Sequence, residues 1–124
     1  MILLDTSVWV DHLRESNPFV GNLLVRGQVL AHPFVIGELA LAGLQQRDIF
    51  LQRLHQLPSA LIASADEVLA LLVRNDLQGF GIGYVDACLL ASVRMTPSAR
   101  IWTRDQKLAA VAERLSVAAR PYDA

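Results

Sequence analysis

The chain has 124 residues, 53% of them hydrophobic and 19% charged, with a formal net charge of -1. That length accommodates one domain, expected over residues 1–124, and so apolar a composition excludes intrinsic disorder. The single cysteine, Cys88, excludes an internal disulfide and a multi-cysteine zinc site, and no apolar run approaches the ~20 residues a membrane span needs.

The first residues, MILLDTSVW, lack the basic stretch of a signal peptide, so a cytoplasmic location is expected. MILL is a short continuous apolar run, the pattern of a strand buried on both faces. It stops at Asp5, and Thr6 or Ser7 suits the cap of a helix reaching about residue 14. A second helix is predicted over 18–26 and a short strand over 28–31. Pro33 opens a helix running to residue 43, and another covers 47–56 before Pro58 stops it. Leu61 and Ile62 are expected to form a strand. Ser64 with Glu67 three residues on has the spacing of a capping box for a helix through residue 75. Gly79, Gly81 and Gly83 mark a loop before a strongly apolar helix over 84–95. Ile101 and Trp102 form a strand, 106–115 a last helix and 117–119 an edge strand. Short apolar strands alternating with longer helices predict an α/β fold with a central, mainly parallel sheet.

Most of the twelve acids sit where solvated charges normally sit: Glu15, Asp48, Asp66, Glu67, Asp76, Glu113 and Asp123 lie near helix ends or polar stretches, and Asp11 shares a polar helix face. Four do not fit that description. Asp5 ends the first strand and Asp105 follows the IWT strand, so each stands past the carboxyl end of a buried strand, the edge where open parallel sheets bind ligands. Glu38 is the lone charged residue of PFVIGELALAGL, and Asp86 that of GYVDACLLAS. A carboxylate on such a helix is costly unless a partner compensates it. Plainer roles stand beside these: Asp5 and Asp105 also suit helix N-caps, and Asp86 also complements a helix dipole. Taken together, four acids without a cluster of buried basic residues point to a hard divalent cation, because crowded carboxylates resist joint ionisation. The chemistry such a site does best is phosphoryl transfer.

The ordered set formed by DTSVW after the first strand, GEL on a mid-chain helix, GIGYVDA and the late TRD resembles the PIN-domain ribonucleases, and within them the VapC-type toxins, over essentially the whole chain. The resemblance implies a three-layer α/β/α fold and an acidic pocket holding Mg2+ or Mn2+. It also implies endonucleolytic cleavage of single-stranded regions of RNA, in tRNA or another structured RNA, and so the toxin of a type II toxin–antitoxin pair that inhibits translation. By motif position Asp5, Glu38, Asp86 and Asp105 are the implied catalytic and metal-binding acids. Thr6, Ser7 and Thr103 stand beside them as hydroxyls able to orient a carboxylate, although capping is the favoured role for Thr6 or Ser7. The implied partners are a cognate VapB-type antitoxin, the RNA and a second copy in a homodimer.

Other chemistries fit less well. GFGIG lacks the lysine of a phosphate loop. His12, His32 and His55 lie on separate segments, as surface or internally satisfied histidines. Ser7 and Ser92 lack the strand–turn context of a nucleophile elbow, and Cys88 belongs to an apolar helix. Ser7 also occupies the place where a phosphomonoesterase would want a second acid after Asp5. Trp9 and Trp102 are expected in the core or against a partner. The competing function is a non-catalytic PIN-like protein-binding module. A net charge of -1 is not that of a typical basic nucleic-acid binder. The high apolar content also predicts a partner surface, with some of Trp9, Phe19, Leu23, Phe50 and Leu54 exposed.

Overall fold

The computed structural model describes residues 1–120, so Asp123, read above as a surface acid, lies outside the described residues. The elements follow in the order β1 (Ile2–Leu4), α1 (Thr6–Arg14), α2 (Pro18–Val25), β2 (Val29–Leu30), α3 (Pro33–Ala40), α4 (Arg47–His55), α5 (Ala65–Arg74), α6 (Tyr84–Met95), β3 (Arg100–Trp102) and α7 (Gln106–Arg114). The three strands form a parallel sheet in the order β2-β1-β3, flanked by the helices in a three-layer α/β/α arrangement.

The apolar run at the start of the chain becomes the central strand, and its Leu3 and Leu4 are fully buried. Leu3 pairs with Leu30 on one side and Ile101 on the other, which sets the register of all three strands. The chain leaves β1 for β2, then crosses back to place β3 on the opposite side. The strand order therefore reverses at β1, and a crevice is expected at the carboxyl edge of the sheet there.

Each edge of the sheet is extended by one parallel bridge. Ala118 pairs with Ile101, within the segment read as an edge strand. On the far side the pairing is displaced from the predicted position: Leu61 and Ile62 are exposed and form no strand, and Ser59 bridges Ala31 instead. The Ala31 amide donates to the Pro58 carbonyl at 2.8 Å and the Ala60 amide donates back to the Ala31 carbonyl at 2.9 Å. Those bonds occupy the sheet edge two residues earlier than hydropathy suggests.

Local signals explain the helix starts. Asn17 accepts the amides of Phe19 and Val20 ahead of Pro18. Ser64 and Glu67 exchange both bonds of a capping box at 2.9 and 3.1 Å. Helix α6 is buried through its middle: residues 87–93 are all buried, with Leu89 and Leu90 fully so, whereas Tyr84 and Val85 at its start are exposed. Full burial of a leucine stabilises by roughly 1.5–3 kcal/mol. Cys88 joins Val68, Ala87 and Ala91 in a small second core between α5 and α6. Of the apolar residues expected to stay exposed in part, Trp9 and Leu54 are buried, and Trp9 meets Phe50 edge-on at 5.8 Å. Leu23 and Phe50 are half-buried, and Phe19 remains 39% exposed. No helix among the described residues is long and apolar enough to cross a membrane.

Candidate active site

Two of the four singled-out acids reach the carboxyl edge of the sheet by the same device. Asp5 follows β1 and caps α1; Asp105 lies three residues beyond β3 and caps α7. Each is still extended while its carboxylate accepts an amide of the helix it opens. Asp5 Oδ1 accepts the Thr6 amide at 2.8 Å, and Asp105 Oδ1 accepts the amides of Lys107 and Leu108 at 2.9 and 3.1 Å. The cap of α1 is thus Asp5, not Thr6 or Ser7, because the chain has already turned into the helix at Thr6. A carboxylate in that position also suits the positive end of the helix dipole.

Freed from capping, the hydroxyls bind the acids instead. Thr6 Oγ1 donates to Glu38 Oε1 at 2.6 Å, joining α1 to α3. Thr103 Oγ1 donates to Asp5 Oδ2 at 2.7 Å and accepts the Asp105 amide at 3.0 Å. Ser7 Oγ donates to the same Asp5 oxygen at 3.2 Å and accepts the Arg104 amide at 3.0 Å. A hydrogen-bonded run therefore extends from Glu38 through Thr6, Asp5 and Thr103 to Asp105. Asp5 is its pivot, only 8% exposed and holding three donors. Glu38, singled out for standing in an apolar helix, lies on the exposed face of α3. Its bond to Thr6, and not its burial, ties it to the group.

Asp86 arrives from the other side, in the first turn of α6. It accepts the Gly83 amide at 3.3 Å, half of a capping box whose other half a glycine cannot return. Burial pushes the Asp86 carboxyl above the usual aspartate range; the Gly83 amide opposes that rise, while the charges of Asp5, Asp105 and Glu38 reinforce it. All four acids thus share one field. Among the described residues, the three ion pairs are Arg47–Asp48, Arg104–Asp11 and Arg120–Glu113, so no basic side chain neutralises the four.

The donor set fits a hard cation: it consists of carboxylates, and the side chains seen hydrogen-bonded to them are the hydroxyls of Thr6, Ser7 and Thr103. Among the described residues, no three His, Cys, Asp or Glu side chains converge tightly enough to enclose an ion directly. Magnesium does not require that, since it keeps several of its own waters and takes one or two carboxylates. A cavity of about 530 Å³ lies elsewhere, against Ile2 and Arg100 at the opposite edge of the sheet.

His32 is an internally satisfied histidine, one of the two roles expected for it, but its partner and the contacts of Arg104 escaped the sequence reading. His32 is 1% exposed; its Nδ1 accepts the Phe34 amide at 3.1 Å, so its Nε2 carries the proton and meets Ser92 Oγ at 3.0 Å. This ties the start of α3, which bears Glu38, to α6, which bears Asp86. The pairing spans 60 residues, and no local pattern announces it. Arg104, beside Asp105, lies over the Trp102 ring at 5.5 Å and bridges to Asp11 at 3.2 Å.

The PIN domain family model matches residues 2–114. The chain is also 46% identical over 118 residues, covering 95% of both chains, to Ribonuclease VapC32 of Mycobacterium tuberculosis, in the CDC 1551 / Oshkosh and the ATCC 25618 / H37Rv strains alike. A match of that extent, on a fold whose four acids gather at one sheet edge, means that the chain belongs to the PIN domain family.

Proposed function

We propose that this chain is a single-domain, Mg2+- or Mn2+-dependent endoribonuclease, the toxin of a type II toxin–antitoxin pair, which cuts single-stranded regions of tRNA or another structured RNA and so inhibits translation. The observation that carries the reading is the hydrogen-bonded run Glu38–Thr6–Asp5–Thr103–Asp105 at the reversal of strand order. Identity of 46%, over nearly the whole chain, to a protein named a ribonuclease supports it further.

Asp5, Glu38, Asp86 and Asp105 are the residues that would hold the ion. Bound there, it supplies the Lewis acidity that phosphodiester hydrolysis needs. The chain's own part is preorganisation. Three donors fix the Asp5 carboxylate in one orientation, Thr6 holds Glu38 beside it, and Thr103 couples the turn at Asp105 to Asp5. Groups held this way need little reorganisation as charge develops in the transition state. A cognate VapB-type antitoxin, a homodimer and a cytoplasmic location complete the proposal.

RNA cleavage by purified protein tests it. Cutting is expected with Mg2+ or Mn2+, absent with a chelator, and abolished in Asp86→Asn while circular dichroism stays unchanged. A correctly folded wild type that cuts no RNA with either metal, yet binds the product of a neighbouring gene, would instead identify a non-catalytic binding module.

A further inference from the structure

Lys107 is the one lysine in the sequence and stands two residues after Asp105, whose carboxylate accepts its amide at 2.9 Å. From the first turn of α7 its exposed side chain crosses to the loop before α6. A Cβ at Gly81 would stand 2.9 Å from Lys107 Cδ and 3.2 Å from Nζ. Gly81 also has φ +78°, a conformation that side-chain-bearing residues rarely adopt. Two residues on, the Gly83 amide is the one Asp86 accepts. The ammonium therefore sits at the loop that presents Asp86, on the helix that presents Asp105.

Fold stability does not account for a cation there. In the first turn of α7 it opposes the helix dipole. None of the three ion pairs among the described residues includes it. The loop has a second tether from the same helix, Arg114 over the Phe80 ring at 5.0 Å. Nor does an ammonium ligate a metal; it attracts an anion. Arg104, the neighbouring cation, is already engaged by Asp11 and Trp102. We propose that Lys107 binds a phosphate of the RNA strand beside the carboxylate edge, and that position 81 is glycine so that the lysine stem lies flat across the loop. The inference rests on the nuclease reading above.

The test is steady-state cleavage of a single-stranded RNA oligonucleotide in Mg2+ at several salt concentrations. Lys107→Met keeps the stem over Gly81 and removes only the charge. Its KM is expected to rise about tenfold, the effect of losing one charge-assisted hydrogen bond, with kcat within about twofold of wild type. The salt dependence of kcat/KM is expected to weaken by about one phosphate contact, without a change in Tm. Lys107→Arg is expected to restore most of the loss. Gly81→Ala, which displaces the stem, is expected to raise KM in the same direction. Wild-type KM and salt dependence in Lys107→Met would overturn the inference. So would a fall in kcat accompanied by a lower Tm, which would make Lys107 a support for the loop. In either case a wild type that still cuts RNA leaves the nuclease reading standing; a wild type that neither binds nor cuts RNA removes both.

Discussion

Replacing Thr103 with valine removes one hydroxyl and leaves the shape of the side chain almost unchanged, so it isolates the polar wiring of the site from its packing. The hydroxyl donates to Asp5 Oδ2 at 2.7 Å and accepts the Asp105 amide at 3.0 Å. The second loss is minor, because Asp105 is exposed and water replaces the acceptor. The first is larger: Asp5 is 8% exposed, and water reaches its carboxylate poorly. A hydrogen bond to a charged group contributes about 1.5–3 kcal/mol. Because the Thr6 amide and Ser7 hydroxyl remain on Asp5, the low end applies, about 1.5 kcal/mol. For a domain of this size that corresponds to a fall in Tm of about 6 °C. Thermal melting of wild type, Thr103→Val and Thr103→Ser checks it, and the serine variant is expected to lie near wild type. Cleavage by Thr103→Val is expected to fall on the order of tenfold or more, since a loosened Asp5 no longer holds the charge it must bind in one place. A valine variant with wild-type Tm and wild-type cleavage would show that the hydroxyl run organises nothing.

Further outcomes follow from the same geometry. Burial holds the His32 imidazole below its usual pKa of 6.5, so between that lowered value and 6.5 the unfolded chain binds more protons. The His32 contribution is therefore intact above pH 6.5 and lost as pH falls through the folded value; denaturant titrations across that range should show a flatter profile for His32→Asn, with a residual slope from His12, whose pKa burial also lowers. Asp86 has the opposite sign: its pKa is raised, so from 3.8 up to its folded value the native chain binds more protons, and metal-free stability falls as pH rises through that window. Asp86→Asn should remove that fall and be more stable than wild type at neutral pH without metal, while gaining less from added Mg2+ in melting curves.

What the sequence makes legible here is what depends on neighbours along the chain. The apolar run before Asp5 reads as a strand buried on both faces because four apolar residues without alternation need that burial, while its central place in the sheet comes from pairings far along the chain. Ser64 and Glu67 declare their helix because both partners of the capping box lie within one turn. The four acids stand out one at a time by context, yet the bonds linking them do not. Thr6 and Glu38 are 32 residues apart, and Asp5 and Thr103 are 98 apart. Periodicity carries no information about such pairs. For the same reason the hydroxyls beside Asp5 read as caps, when the carboxylate itself takes the cap and turns them toward other acids. The strand expected at Leu61 and Ile62 fails because hydropathy marks apolar residues, whereas pairing at this edge is decided by the free backbone groups around Ala31.

Titration of Mg2+ into metal-free protein, followed by calorimetry, tests most directly the claim that these four carboxylates form one cation site. Wild type should bind with a measurable heat. Asp5→Asn and Asp86→Asn should each lose at least tenfold in affinity, because each removes one charge from a site with no compensating base among the described residues. Asp48→Asn, whose aspartate pairs with Arg47 at 3.7 Å, should bind as wild type does. Equal affinities for wild type, Asp5→Asn and Asp86→Asn would place the cation elsewhere and contradict the account.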